Sequence, residues 1–100
     1  MEIHAAGFEW DEGNWPKCGK HGLKRTEIEA LFNQAPDLYP DPAHSQKERR
    51  LLAIGRGEQG RPALVVFTLR TTSAGALIRP ISARYMHPKE VEHFERQKHT

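Results

Sequence analysis

Arginine is concentrated in the middle of the chain, where it predicts a surface for a polyanion. Residues 44–84 hold eight basic residues against two acidic ones, and seven of the eight are arginine. Residues 1–43 hold four basic residues against eight acidic ones. A guanidinium group grips phosphate through two parallel hydrogen bonds and stays charged. The alternative is that these arginines lie at strand ends and only solvate a sheet.

Histidine is the other residue type placed for chemistry. His21 follows Lys20, and its imidazole is the side chain best suited to proton transfer near neutral pH. The alternative for His21 is stabilisation by the dipole at a helix C-terminus. The last three histidines are six residues apart, about 240° of helical rotation per step, so they face different directions. Cys18 is the only cysteine, and the sequence predicts neither a metal site nor a disulfide.

The length and composition indicate a single domain spanning residues 1–100. Apolar residues make up 37% and charged residues 28%, which is typical of a globular protein and excludes a disordered chain. The longest apolar run, residues 63–67, is too short to cross a membrane. Residues 1–4 lack the pattern of a secretory signal. We therefore expect a cytoplasmic protein without a membrane segment.

The N-terminal third predicts one strand and two helices. Residues 7–10 alternate apolar and polar side chains, as a strand does. A brief helix over residues 15–20 follows, with Asn14 or Asp11 as its cap and Gly22 in the left-handed conformation that ends a helix.

A second helix and a long loop are predicted next. Thr26 and Glu29 have the spacing of a capping box, which opens a helix ending near Asn33. Prolines at 36, 40 and 42 then predict a loop over residues 35–46.

The remaining residues predict three strands in a meander and a final helix. The strands cover residues 50–56, 63–69 and 77–84, and Pro80 predicts a bulge or a solvent-facing position. A helix opens at His87-Pro88. The order β-α-α-β-β-β-α predicts an α+β domain in which the helices pack against an antiparallel sheet.

The meander brings distant arginines together. Arg56 and Arg84 leave the first and third strands of the meander at the same end, about 10 Å apart at the backbone and within joint reach of one phosphodiester. Arg70 and Arg79 fall towards the opposite end. For Arg84 the alternative is an ion pair with Glu90 or Glu9.

Four motifs stand in order along the chain: Phe8-Glu9-Trp10-Asp11, Lys20-His21-Gly22, Ala53-Ile54-Gly55-Arg56 and Ile81-Ser82-Ala83-Arg84. Together they resemble the BrnT family, small ribonuclease toxins of bacterial type II toxin–antitoxin modules with a RelE-like fold. The similarity covers nearly the whole chain. Where members of that family often carry a lysine, this chain has Asn14.

The resemblance implies RNA cleavage without a metal or other cofactor. This chemistry needs a base for the 2′-hydroxyl, an acid for the leaving 5′-oxygen and cations for the phosphorane. Our hypothesis assigns proton transfer to His21 with Lys20 as an assisting cation, and transition-state stabilisation to Arg56 and Arg84. It assigns further RNA contacts to Arg70, Arg79, Trp10 and Tyr85, the aromatic rings by stacking. For Trp10 the alternative is a core position.

The resemblance also implies a protein partner. The family pairs each toxin with a cognate antitoxin, expected to be a ribbon-helix-helix dimer, so that DNA is contacted only through the complex. Two alternatives stay open: a catalytically inactive relative that binds RNA or a partner through the same basic face, and a plain interaction domain.

Overall fold

The computed structural model describes residues 3–41, 49–57 and 59–98 and shows five strands and three helices in them. In chain order these are β1 (Gly7–Phe8), α1 (Trp15–Cys18), α2 (Arg25–Asn33), β2 (Asp37–Pro40), β3 (Leu51–Arg56), β4 (Pro62–Thr72), β5 (Gly75–Tyr85) and α3 (Pro88–Lys98). No described helix is long and apolar enough to cross a membrane.

The strands form one sheet in the order β1-β5-β4-β3-β2. β3, β4 and β5 are consecutive antiparallel neighbours, as the meander predicts. β1 runs parallel to β5, its only neighbour in the described sheet. Two helices and three strands separate the two strands in the chain. The sheet is therefore mixed, which corrects the expected antiparallel sheet, while the α+β class is confirmed. The RelE-like classification stays an expectation drawn from the resemblance.

β2 was not predicted, and the loop prediction is wrong for its four residues. Asp37–Pro40 pairs with Leu51–Ile54 at the edge of the sheet. An edge strand has a ladder on one side only, so it accepts a proline that a central strand would exclude. The remainder of the predicted loop beyond Asp41 lies outside the described residues.

The two helices before β2 differ from prediction at their ends. α2 begins at Arg25, its cap Lys24 makes no side-chain bond, and the predicted capping box is absent. The Glu29 carboxylate instead accepts a hydrogen bond from Trp10 Nε1 at 2.8 Å. α1 ends at Cys18, two residues before its predicted end. Gly22 has a φ of +97°, so its predicted left-handed conformation is confirmed.

Alternation along the central strands gives the sheet two different faces. α1 packs against β5 and α2 against β3 on the same side, which we call the helix-covered face. Its buried apolar cluster includes Cys18, Leu23, Ile28, Leu31, Leu51, Ala53, Ala63, Val65, Phe67 and Ala83. The alternate positions of β3–β5 form the open face. α3 crosses this face from β5, where Glu90 contacts Arg84, to β2, where Phe94 contacts Tyr39 with ring centroids 6.2 Å apart.

A bulge in β5 decides which side chains share the open face. Val66 pairs with Ser82 and Phe67 with Pro80, so Ile81 is an extra residue, as Pro80 predicts. Arg79 and Arg84 are an odd number of residues apart and would point to opposite faces of a regular strand. The extra residue restores them to the same face.

Candidate functional site

Arg56 and Arg84 lie at the same end of the sheet and on the same face, as predicted. Arg56 pairs with Pro62, and Arg84 pairs with Leu64 two residues further along β4. One intervening strand and this offset correspond to about 12 Å between the two Cα atoms. Both side chains start on the open face, on the two sides of α3: Val91 and Glu95 line a cavity together with Arg56, whereas Glu90 on the other side of the helix holds Arg84. The two cations therefore come from separate strands at one end of the sheet.

Glu90 at the start of α3 holds the Arg84 guanidinium. Arg84 Nη1 and Nη2 donate to the two carboxylate oxygens at 2.7 and 2.8 Å, and the His87 amide donates to the same carboxylate at 2.9 Å. These bonds lower the pKa of Glu90 to about 2. The bond to Glu90 also raises the pKa of Arg84. The ion pair with Glu90 that the sequence left as an alternative is thus present.

The ion pair occupies only one edge of the guanidinium. Among the described residues, Arg84 has acceptors for Nη1, at Glu90 and the Tyr85 carbonyl, and for one Nη2 hydrogen. Its Nε–H and second Nη2–H form the other edge of the fork and have no described acceptor. That edge can donate two parallel bonds to a phosphate while Glu90 keeps the group in place. The pair with Glu90 is compatible with anion binding.

Arg56 is exposed and is held by the turn that follows its strand. Its Nη1 donates to the Gly60 carbonyl at 2.7 Å across the β3–β4 connection. The other donors of this guanidinium make no hydrogen bond to a described residue. Arg56 is therefore also available to an anion on the open face.

Arg70 and Arg79 lie on the open face at its opposite end, as predicted, and both meet acids there. Arg79 donates to Glu9 at 2.8 Å and to both oxygens of Asp11 at 2.9 and 3.1 Å. Its side chain is only 14% exposed, against 52% for Arg70, which contacts Glu9 at 3.1 Å. The bonds from Arg79 lower the pKa of Asp11, and those to Asp11 raise the pKa of Arg79. Arg79 joins β5 to the segment after β1.

Trp10 belongs to the helix-covered side of the sheet and not to the arginine face. Its Nε1 donates to Glu29 of α2, and its ring lies edge-on to Trp15 with centroids 5.5 Å apart. The Arg25 guanidinium lies 4.8 Å from the Trp15 centroid and 5.6 Å from that of Trp10. Trp10 packs against the core, which is the alternative considered for it.

Tyr85 also lies on the helix-covered face, because it neighbours Arg84 along one strand. Its hydroxyl donates to Glu27 of α2 at 2.7 Å, and this bond raises the pKa of Tyr85. The Arg61 guanidinium covers the ring at 3.7 Å from its centroid. The fold therefore separates both predicted stacking residues from the arginine pair.

Lys20 and His21 lie in the connection between α1 and α2, and both are exposed. Neither side chain forms a hydrogen bond or an ion pair with any other described residue. The structure does not bring them into contact with Arg56 or Arg84. Their assignment to proton transfer stays a prediction.

Asn14 and Cys18 are structural residues of the turn and helix after β1. Asn14 is 1% exposed, donates to the Glu9 and Pro80 carbonyls, both at 2.9 Å, and accepts from the Asp11 amide. A lysine at this position would bury a charge between two strands. Cys18 is fully buried, and burial raises the pKa of its thiol to about 11, so it is not a nucleophile.

Two side chains of the open face were missed from the sequence. Tyr39 lay in the predicted loop, and His93 was considered only as a metal ligand. Both line a cavity on the open face together with Glu90. The three-residue spacing of Glu90 and His93 on one helix could have indicated His93. No comparable pattern in the sequence pointed to Tyr39. Within residues 3–41, 49–57 and 59–98, no three His, Cys, Asp or Glu side chains are grouped so as to hold a metal ion.

Comparison with known families agrees with the motifs. The model of the family described as "Ribonuclease toxin, BrnT, of type II toxin-antitoxin system" matches residues 10–90. None of the curated proteins matches the sequence significantly. The family match includes α1, α2, β2–β5 and the first turn of α3, and therefore both members of the arginine pair and Glu90. The chain belongs to the BrnT family of type II toxin–antitoxin ribonuclease toxins.

Proposed function

We propose that this protein is a metal-independent endoribonuclease that binds the scissile phosphate of single-stranded RNA on the open face. The observation that carries the proposal is the placement of Arg56 and Arg84 on one face at one end of the sheet, with an unused guanidinium edge on Arg84. Duplex RNA hides most of its base edges in a deep, narrow major groove, which favours a single-stranded substrate.

The proposed reaction is an internal transfer within the RNA. The 2′-oxygen attacks the adjacent phosphorus as its proton passes to a base, and the bond from phosphorus to the 5′-oxygen breaks as that oxygen accepts a proton from an acid. The products are a 2′,3′-cyclic phosphate and a 5′-hydroxyl. Negative charge grows on the phosphorane oxygens, where two fixed guanidinium groups stabilise it.

Proton transfer is assigned to His21 in this proposal, with Lys20 beside it as a cation. Histidine exchanges protons near neutral pH, and both side chains are exposed on the α1–α2 connection. His93 is the comparison residue, because it lines the cavity that also contains Glu90. We expect His21→Ala to lower kcat by about 100-fold. His93→Ala should leave kcat within about twofold; the reverse order would move the assignment to His93.

Neutralisation by an antitoxin is the second part of the proposed function. An acidic partner is attracted by the arginines of the open face, and the family description places such toxins in type II toxin–antitoxin systems. We propose that the partner covers Arg56 and Arg84 and thereby excludes RNA. A ribbon-helix-helix dimer that binds DNA is the expected form of this partner.

The test is cleavage of a labelled single-stranded RNA in the presence of EDTA. The wild type should cleave it, and Arg84→Ala should lower kcat/KM by about 100-fold or more, because one donor to the phosphorane is lost. Arg56→Ala should lower it similarly. The control is Arg96→Ala, which removes the same charge from an exposed pair with Glu92 on α3.

Each outcome of this test has a definite meaning. Loss of cleavage with an unchanged circular dichroism spectrum supports the arginine pair. Full activity of Arg84→Ala contradicts it. Activity that EDTA abolishes contradicts metal independence. Salt-sensitive RNA binding by the wild type without cleavage would identify an inactive relative, since phosphate contacts weaken as salt rises.

A further inference from the structure

A cavity of about 480 Å³ lies on the open face and is lined in part by Glu90, the partner of Arg84. Its floor is made of side chains from β3 and β4, its one wall is Tyr39 of β2, and its other wall is α3. Leu52, Ile54 and Leu64 form the floor, and Glu90, His93 and Gln97 are among the α3 residues that line the opposite wall. The cavity is therefore apolar below and polar along one rim.

The aromatic wall is positioned to stack on a ligand. Tyr39 is 39% exposed and is one of the most exposed large apolar residues described. Phe94 contacts the Tyr39 ring in an edge-to-face arrangement, with an interplanar angle of 85°. This contact limits rotation of the tyrosine ring. An aromatic ring held at the wall of an apolar cavity suits a flat ligand with a hydrophobic face.

The polar rim is suited to reading the edge of such a ligand. His93 Nε2 and Gln97 Nε2 lie 3.1 Å apart, so each orients the other. Imidazole and amide groups both donate and accept hydrogen bonds. A flat apolar surface bounded by donors and acceptors is the chemistry of a nucleobase.

The cavity is continuous with the candidate phosphate site. Ile54, Leu64 and Arg84 stand in one row across β3, β4 and β5. Directly paired residues have Cβ atoms about 5 Å apart, so the floor of the cavity adjoins the arginine. Glu90 also belongs to both, since it lines the cavity and holds the Arg84 guanidinium. A phosphate bound by Arg84 therefore lies close to a residue that lines the cavity.

We propose that the cavity between Tyr39 and α3 binds one nucleobase of the RNA strand, next to the phosphate held by Arg56 and Arg84. This inference rests on the proposed function and adds to it a subsite that determines sequence preference. The base stacks on Tyr39 over Leu52, Ile54 and Leu64, and its edge meets His93 and Gln97. Arg56 and Arg84 recognise any nucleotide, whereas the cavity distinguishes bases.

The experiment uses an RNA whose cleavage position has been mapped with the wild type. In one set, the nucleotide that supplies the 2′-hydroxyl carries 2′-deoxyribose, which prevents cleavage and allows Kd to be measured. In a second set, an abasic residue replaces each flanking base in turn. The variants are Tyr39→Ala, Tyr39→Phe and Leu69→Ala. Leu69 is the matched control because it is 40% exposed and does not line the cavity.

The wild type should lose about tenfold in affinity when one flanking base is removed, as expected for one stacked base. Tyr39→Ala should lose about tenfold on the intact strand and nothing further on the abasic strand. Its KM should rise while kcat stays within about twofold, because the loss is of uniform binding. Tyr39→Phe and Leu69→Ala should resemble the wild type. The order of preferred bases should change in Tyr39→Ala.

Failure of the subsite differs from failure of the proposed function. If Arg84→Ala is inactive while Tyr39→Ala and every abasic strand bind as tightly as their controls, the nucleobase site is overturned and the ribonuclease stands. If the wild type binds RNA but never cleaves it, the ribonuclease is overturned. The abasic residue is then placed at each nucleotide of a bound strand in turn, and the Kd values of wild type and Tyr39→Ala still decide the subsite. Tyr39→Ala weakens a contact to α3, so its circular dichroism spectrum is compared with that of Tyr39→Phe. If the circular dichroism spectrum of Tyr39→Ala differs from that of the wild type while that of Tyr39→Phe does not, the Tyr39 ring holds α3 in place. That result overturns the proposal.

Discussion

The two faces of the sheet divide packing from chemistry. On the helix-covered face, β3–β5 contribute small or apolar side chains that α1 and α2 bury, and no described cation enters this core. On the open face the same strands carry Arg56, Arg70, Arg79 and Arg84, and α3 crosses this face at the end where Arg56 and Arg84 lie. Strand periodicity allows this division, because each residue faces away from its neighbours in the chain.

The two faces also explain why the predicted stacking residues lie apart from the arginines. Arg84 and Tyr85 are adjacent in sequence and therefore lie on opposite faces, so the ring cannot accompany the guanidinium. Trp10 follows the same rule relative to Glu9, which reaches Arg79. The open face obtains its aromatic residue from β2 instead. The residues of one binding surface therefore have to lie on the same face of the sheet, and adjacency in the sequence does not show this.

The largest effect should come from the buried side of β4. Phe67 is fully buried and meets Phe32 with ring centroids 4.9 Å apart. We expect Phe67→Ala to lower the free energy of unfolding by about 3–5 kcal/mol, because the cavity left in a packed core cannot collapse fully. Val66→Ala, its neighbour on the open face, should cost about 1 kcal/mol. Urea unfolding of the two variants measures the difference, and equal losses would contradict the division into faces.

Arg79 should matter to folding more than to RNA. Arg79→Ala removes the bonds that join β5 to Glu9 and Asp11, and we expect a loss of about 1–3 kcal/mol in the free energy of unfolding. Arg70→Ala is the control, since its side chain is half exposed, and should cost less than about 1 kcal/mol. A variant of Arg79 that keeps its melting temperature and loses RNA affinity would contradict this expectation and support the predicted RNA-binding role.

The smallest effect should be the acid dependence of the Glu90 pair. Because the pKa of Glu90 is lowered to about 2 in the folded protein, its stabilisation is present above the ordinary carboxyl pKa and is lost as the pH falls towards 2. Glu90→Gln should therefore be less stable than the wild type near neutral pH, by at most about 1 kcal/mol for a pair this exposed. The difference in stability between Glu90→Gln and the wild type should disappear as the pH falls towards 2.

Glu92→Gln provides the matched control for that measurement. Glu92 pairs with Arg96 on the same helix, with both side chains well exposed, and its substitution should change stability little at any pH. Urea midpoints recorded from pH 7 to pH 2 compare the variants. A gap between Glu90→Gln and the wild type that persists at pH 2 would show that the carboxylate charge is not its cause.

Local patterns in the sequence predicted several elements correctly. The valine-rich run of β4 predicted a central strand, Gly22 its left-handed conformation, and Pro80 the bulge in β5. Each of these depends on the conformational range of one residue or on alternation within one strand. The predicted capping box is absent, and the Glu29 carboxylate instead accepts a hydrogen bond from Trp10, which is distant in sequence. β2 was missed because edge pairing depends on β3 and not on its own proline-containing sequence.

The sequence by itself determined the charge of the arginine-rich region and the three strands of the meander. It also determined that Arg56 and Arg84 lie at the same end of the sheet, since strand direction and length follow from local pattern. The motifs also identified the family. Tertiary structure alone decided which side chains share the open face, because a single extra residue at Ile81 reverses the alternation of β5. It also decided that Arg84 pairs with Glu90, one of the two acids that the sequence offered as partners, and that Tyr39 lies beside α3, since β2 and α3 are distant in the chain.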